Sequence, residues 1–194
     1  MLDLQAPTIE GCVRVTSSAD KLDLDLLRKR DAGEFTRFVR VHESFVLGLC
    51  QTLGLSPADR DDAAAEAFAI AYRGLENFRG DAELTTWLYR IAYRTAIKVR
   101  KRYPPRTAEL PETADTALQG PVEIAAGREM NEAVWRAVSQ LDGDQSAAVE
   151  MFYRRGMNIE QVAAVMEIPA GSVKTLLFRA RERLRFLLRS CERI

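Results

Sequence analysis

The sequence predicts an all-α protein: two small helical domains joined by a flexible linker, the C-terminal one carrying a helix-turn-helix. Three observations predict it. Apolar residues recur at spacings of three, four and seven, and no stretch alternates as a half-buried strand does. Pro104, Pro105, Pro111 and Pro121 crowd a segment poor in large apolar groups, which forbids a long helix there and leaves little to bury. Near the C-terminus a short helix, a tight turn and a longer basic helix follow one another. These boundaries give an extension at 1–21, a first domain at 22–102, the linker at 103–121 and a second domain at 122–194.

The elements follow in order. From Leu22 to Gly54, Leu26, Leu27, Phe35, Phe38, Val39, Phe45, Val46, Leu49 and Leu53 share one helical face. Gly33 marks a break near the start, and Gly54 ends the run because glycine takes the left-handed conformation of helix ends. Ser56-Pro57-Ala58-Asp59 opens a second helix with an N-cap serine, a proline at the first helical position and an acid at the third. The alanine-rich run to Arg73 sustains it. A third helix covers Leu84–Arg102, with Leu84, Trp87, Leu88, Ile91, Ala92, Thr95 and Val99 inward and Arg90, Arg94, Lys98 and Lys101 on another face. Beyond the linker, Ile124, Met130, Val134, Val138 and Leu141 share a face. Asp144 is expected to cap a helix through Arg155. Asn158 opens a short helix to Met166 in a capping-box pattern with Gln161. The last helix starts at Gly171 or Ser172 and runs towards Leu188.

The 194 residues balance 28 bases against 28 acids, but the charges are segregated. Between Leu88 and Arg106 there are seven cations and no acid; between Ile168 and Ile194 there are seven more against Glu182 and Glu192. Two one-sided basic segments suggest two contacts with a polyanion, solvated helix faces being the alternative. In the helix-turn-helix, the second helix would enter a DNA major groove with Ser172, Lys174, Thr175, Phe178 and Arg179 at the base edges. Lysine and arginine donate to guanine, and Phe178 can meet a thymine methyl. Arg181, Arg183 and Arg185 lie further along, where phosphate contact or solvation is expected.

The run Gly156-Met157-Asn158-Ile159-Glu160-Gln161-Val162-Ala163, followed by Ile168-Pro169-Ala170-Gly171-Ser172-Val173-Lys174-Thr175, resembles region 4 of bacterial sigma factors of the extracytoplasmic-function (ECF) type. Asp62…Glu66-Ala67-Phe68, Phe78-Arg79-Gly80-Asp81 and Thr86-Trp87-Leu88-Tyr89-Arg90-Ile91-Ala92 resemble region 2 of the same family. The resemblance covers roughly residues 24–188. It implies a protein that binds core RNA polymerase, directs it to promoter DNA and helps open the minus-ten element. It also implies an anti-sigma factor as partner and a monomer when free. Asp62, Ala65 and Glu66 fall where the family meets the polymerase clamp; alanine replaces the usual glutamine at 65. Phe78, Arg79, Gly80 and Asp81 match the loop near a flipped-out minus-ten base, a task that suits a loop because an unstacked base exposes its face and edges. Arg90, Arg94, Lys98 and Arg102 are the phosphate candidates along the opened strand. Arg94 stands for a frequent asparagine and Lys98 for a frequent aspartate, both adding charge. In region 4, Asp142 stands for a common proline, and Ser146 and Leu176 for common arginines. Ser172, Lys174, Thr175, Phe178 and Arg179 would read the minus-thirty-five duplex. The linker acids Glu109, Glu112 and Asp115 would mimic nucleic-acid charge in the polymerase channel, or simply keep a tether soluble.

Two other readings compete. A dimeric helix-turn-helix regulator explains the C-terminal motif but not the second basic helix with its preceding loop. An enzyme is disfavoured: the one histidine, His42, falls among Phe38, Phe45 and Leu49, and no metal-ligand spacing occurs. No cofactor and no metal are expected. Three widely spaced cysteines (Cys12, Cys50, Cys191) argue against a disulfide framework. No apolar run reaches the ~18 residues of a membrane span, and the first residues lack the pattern of a secretory signal, which leads to the expectation of a cytoplasmic protein.

Overall fold

A computed structural model describes residues 22–102 and 134–191. The expected extension, the expected linker and the start of the second domain, with Ile124 and Met130, lie outside the described residues. All described elements are helical.

In the first half, α1 (Leu24–Arg28) is capped by Asp23, whose side chain accepts from the Asp25 and Leu26 amides. α2 (Ala32–Thr52) begins at Asp31, which accepts from the Glu34 amide at 2.8 Å. The break therefore falls before Gly33, not at it. Arg30 takes a left-handed φ of 58° between the two caps, because two closely spaced aspartates each satisfy a separate helix start. Gly54, at φ 81°, ends the α2 segment as expected. α3 (Pro57–Gly74) opens on Ser56, whose hydroxyl accepts from the Asp59 amide, with Pro57 in the first turn. A 3-10 turn (Leu75–Asn77) leads into the loop before α4 (Leu84–Arg102).

α4 packs mainly on α3, also on α2, and on its other side against the second half. Its buried positions are Thr86, Leu88, Tyr89, Ala92, Thr95 and Ala96. Trp87, Ile91 and Val99, expected inward, are half-buried. Burial spreads beyond one stripe because this helix has neighbours on more than one side.

In the second half, α5 (134–138) and α6 (Gly143–Val149) lead into a π-helical turn, Glu150–Arg154. The expected capping by Asp144 is corrected: the cap position is Asp142, and the Asp144 carboxylate is held by α4. The expected single helix to Arg155 becomes an α-helix followed by a wider turn. α7 (Ile159–Met166) has the full capping box, Asn158 and Gln161 each bonding the other's backbone amide. α8 (Ala170–Cys191) is the longest element, at 22 residues. Both α6 and α7 pack on α8. A single set of buried apolar contacts joins Phe38, Phe45, Leu49, Leu88 and Ala92 with Met151, Val162, Val173 and Leu177.

Candidate nucleic-acid and polymerase interfaces

The C-terminal site is built by a short apolar scaffold. Val162 and Val165 of α7 are buried with Val173, Leu177 and Ala180 of α8, and half-buried Ala163 packs against them. The turn between them pairs Glu167 at φ 58° with Pro169, whose carbonyl accepts from the Ser172 and Val173 amides. With one side of α8 committed to the core, Ser172, Lys174, Thr175, Phe178 and Arg179 are all exposed on the remainder. Phe178 is 63% exposed. The Thr175 hydroxyl donates to the Gly171 carbonyl at 3.0 Å, so its proton stays within the helix. Further along, Arg181 donates to the Tyr153 hydroxyl at 2.6 Å, and Arg185 pairs with Glu182. These cations are engaged by their own structure, whereas the Lys174 and Arg179 side chains meet no hydrogen-bond or ion-pair partner among the described residues.

The first half carries a different surface. Phe78 is buried against Trp87, ring centroids 5.1 Å apart, and its carbonyl accepts from the Arg28 guanidinium at 3.1 and 3.2 Å. It anchors the loop from below, while Arg79, Gly80 and Asp81 are exposed. Arg28 was not among the residues the sequence singled out. Its role depends on a contact 50 positions away, which no local pattern announces.

The cationic row of α4 is not free. Arg90 donates to the Ala164 carbonyl at 2.8 Å. Arg94 makes a two-pronged pair with Glu167, one bond at 2.9 Å. Lys98 pairs with Glu66 at 3.0 Å. Arg102 is exposed at the end of the helix. On the face beside them, the Tyr93 hydroxyl donates to Asp144 at 3.3 Å and Arg100 pairs with the same carboxylate at 3.6 Å. Burial, then the Asp144 charge, raises the Tyr93 phenol above its ordinary range, so it remains a donor. On α3, Asp62 and Ala65 are exposed and Glu66 is half-buried.

His42 is a core histidine. It is 3% exposed, stacks edge-on against Phe38 and lies 3.4 Å from the Tyr89 hydroxyl. Burial, helped by Arg155, lowers its pKa to about 4. The Cys50 thiol is pushed up to about 12 by burial and stays protonated at neutral pH, which makes it unreactive. Among the described residues no group of histidine, cysteine and carboxylate side chains could hold a metal ion. None of their helices is long and apolar enough to cross a membrane.

Comparison with known proteins gives this arrangement its family. Residues 38–103 match the model of sigma-70 region 2, and residues 131–184 that of sigma-70, region 4. The chain is 34% identical over 179 residues to the RNA polymerase sigma-H factor of Pseudomonas aeruginosa, covering 87% of this chain and 93% of that one. It belongs to the ECF sigma factors. The ECF RNA polymerase sigma-E factor of Escherichia coli K12 is 32% identical over 174 residues, 84% of this sigma factor and 91% of that one. Solved structures share its fold: CnrH in complex with the cytosolic domain of CnrY (TM-score 0.63, 21% identity, 88% of this chain and 99% of that one). Another is the sigma factor RpoE in complex with the anti-sigma factor NepR from Bartonella quintana (TM-score 0.61, 20% identity, 80% and 97%). The exposed face of α8 thus lies in region 4 of the sigma factor, and the loop and cationic row of α4 in region 2.

Proposed function

We propose that this sigma factor, which binds core RNA polymerase and recognises promoters as its family does, divides those tasks among three surfaces. The face of α8 bearing Ser172, Lys174, Thr175, Phe178 and Arg179 reads the minus-thirty-five duplex in the major groove. Arg79, Gly80 and Asp81, braced by buried Phe78, meet the opened minus-ten strand, and Arg90, Arg94, Lys98 and Arg102 follow its backbone. Asp62, Ala65 and Glu66 dock on the polymerase, acidic groups steering the encounter with a basic partner surface. The protein acts in the cytoplasm as a transcription initiation factor, is monomeric when free and is held by an anti-sigma factor.

The observation that carries this reading is the α8 face: a row of polar, cationic and aromatic side chains left outward by a helix-turn-helix whose other side is buried. Lys174 and Arg179 sit near the start of the helix, within reach of base edges, whereas Arg185 lies further on and is paired with Glu182. Transcription with purified core polymerase from promoters mutated at single minus-thirty-five positions tests it. Lys174→Ala or Arg179→Ala should cost ~1–3 kcal/mol on the preferred sequence and relax discrimination there. Arg185→Ala should produce only a small, sequence-independent, salt-sensitive loss. The opposite pattern would mean that another register of α8 faces the bases.

A further inference from the structure

The loop assigned to the minus-ten strand is held from an element outside the region 2 match. That match spans residues 38–103, whereas α1 ends at Arg28. Two nitrogens of the Arg28 guanidinium, Nε and Nη2, donate to the single carbonyl of Phe78, at 3.2 and 3.1 Å. Arg28 is half-buried, and a bond from a charged donor is stronger than one between neutral groups.

Phe78 is fixed on every side once that bond forms. Its ring packs on Trp87, its amide donates to the Leu75 carbonyl at 3.1 Å, and its carbonyl is taken by Arg28. The peptide that follows is planar and trans, so a carbonyl turned towards Arg28 turns the Arg79 amide away from it. Arg79, Gly80 and Asp81 thus leave from a peptide plane whose orientation α1 decides. Gly80 has φ 83°, and a Cβ there would lie 4.0 Å from Nη2 of the same guanidinium. The cation therefore lies alongside the loop as well as at its root.

The helix that carries Arg28 is itself anchored. Leu27 is fully buried, and the Asp23 amide donates to buried Glu34 at 2.6 Å. Just past the helix end, Arg30 pairs with Glu76 at 2.7 Å and donates to the Arg73 carbonyl at 3.3 Å. The short helix is a fixed platform from which one arginine reaches the loop.

We propose that Arg28 is a positioning residue for minus-ten recognition: it orients the Phe78–Arg79 peptide and, through it, the shape that residues 79–81 present to an unstacked base. This rests on the reading of that loop as the minus-ten contact. A base edge is read by directional bonds, whereas a phosphate contact carries no sequence information and tolerates a shifted partner. Loosening the root of the loop therefore lowers discrimination between bases more than it lowers affinity for the strand.

Transcription by the reconstituted holoenzyme, from promoters varied singly at each minus-ten and minus-thirty-five position, supplies the test. Arg28→Met keeps the length of the side chain and removes its donors. Arg30→Met makes the same change in charge two residues on, and cuts the contacts to Glu76 and Arg73 instead of the one to the loop. Asp81→Ala alters the loop directly. Discrimination is a ratio between promoters, so it does not depend on how much of each preparation is active. Arg28→Met should lower discrimination about fivefold at the minus-ten position that Asp81→Ala also flattens, the low end of what one base-edge contact supplies. Its minus-thirty-five discrimination and its affinity for core polymerase should match the wild type, and Arg30→Met should match the wild type throughout. If Asp81→Ala flattens the preference and Arg28→Met does not, the proposal is overturned and the reading of the loop stands. An equal loss in Arg30→Met, or an equal loss at the minus-thirty-five positions, also overturns it, since charge or general loosening would then explain the effect. If neither Arg28→Met nor Asp81→Ala alters the minus-ten preference, the reading of the loop falls and the proposal falls with it.

Discussion

His42 shows how a residue type that suggests chemistry is absorbed by packing. Phe38 and Tyr89 pack edge-on against its ring, and the fold holds it neutral, its pKa lowered from 6.5 to about 4. The unfolded chain takes up a proton below pH 6.5 that the fold refuses until about pH 4. Stability from this residue is complete above the higher value and drains away as the pH falls towards the lower. At about 1.4 kcal/mol per pH unit the loss approaches roughly 3 kcal/mol. Glu150 works the other way. Burial raises its carboxyl despite Arg154 and Arg155, so it favours the fold when protonated and opposes it as the pH climbs through its folded value. Urea denaturation of wild type and His42→Gln from pH 7 to 4.5 separates the two, since Glu150 is common to both. The wild type should lose stability more steeply below pH 6.5. Parallel curves would show that His42 already accepts a proton within the fold. The placement of His42 inside a helical apolar face was legible from Phe38, Phe45 and Leu49 at helical spacing. The buried Glu150 was not, because charge argues against burial and only its neighbours make it tolerable.

Caps carried most of the legible information about the elements. Ser56 with Pro57, Asn158 with Gln161, and Gly54 each satisfy or end a helix through contacts within a few residues, so the boundaries of α3 and α7 could be read directly. Asn158→Ala removes the acceptor for the Gln161 amide, at 2.8 Å, and should cost ~1 kcal/mol of stability. Asn158→Asp should retain most of it. Thermal melts followed by circular dichroism check both, and equal losses would mean that the side-chain acceptor is unimportant. Where a boundary depended on a distant group, local reasoning failed. Asp144 has the chemistry of a cap but is claimed by Tyr93 and Arg100, about 50 residues earlier. The π turn at Glu150–Arg154 has no compositional signature, and it sits where the second half meets α2, with Arg155 4.6 Å from the centre of the Phe45 ring. Two aspartates, Asp23 and Asp31, decided the α1–α2 break, although Gly33 was the more conspicuous punctuation.

For the whole molecule, the sequence made both halves and both basic surfaces visible, since each is a periodic pattern within one helix. Their mutual engagement was invisible, because an arginine facing a phosphate and one facing Glu167 have the same local sequence. Gly143 is a further part of that engagement. It lies beside the Arg100 guanidinium, and a Cβ there would collide with one of its terminal nitrogens, so the flexible end of that side chain must shift before anything larger than hydrogen fits. Every residue other than glycine carries that same first carbon. Substitution at 143 by a small uncharged residue should therefore behave like a switch with one setting, insensitive to whether the newcomer is apolar or polar. In saturation mutagenesis, alanine, serine and valine at this position should score alike. A library selected for transcriptional output would then tolerate or enrich them, while one selected for retention by a regulator that grips the compact form would purge them together.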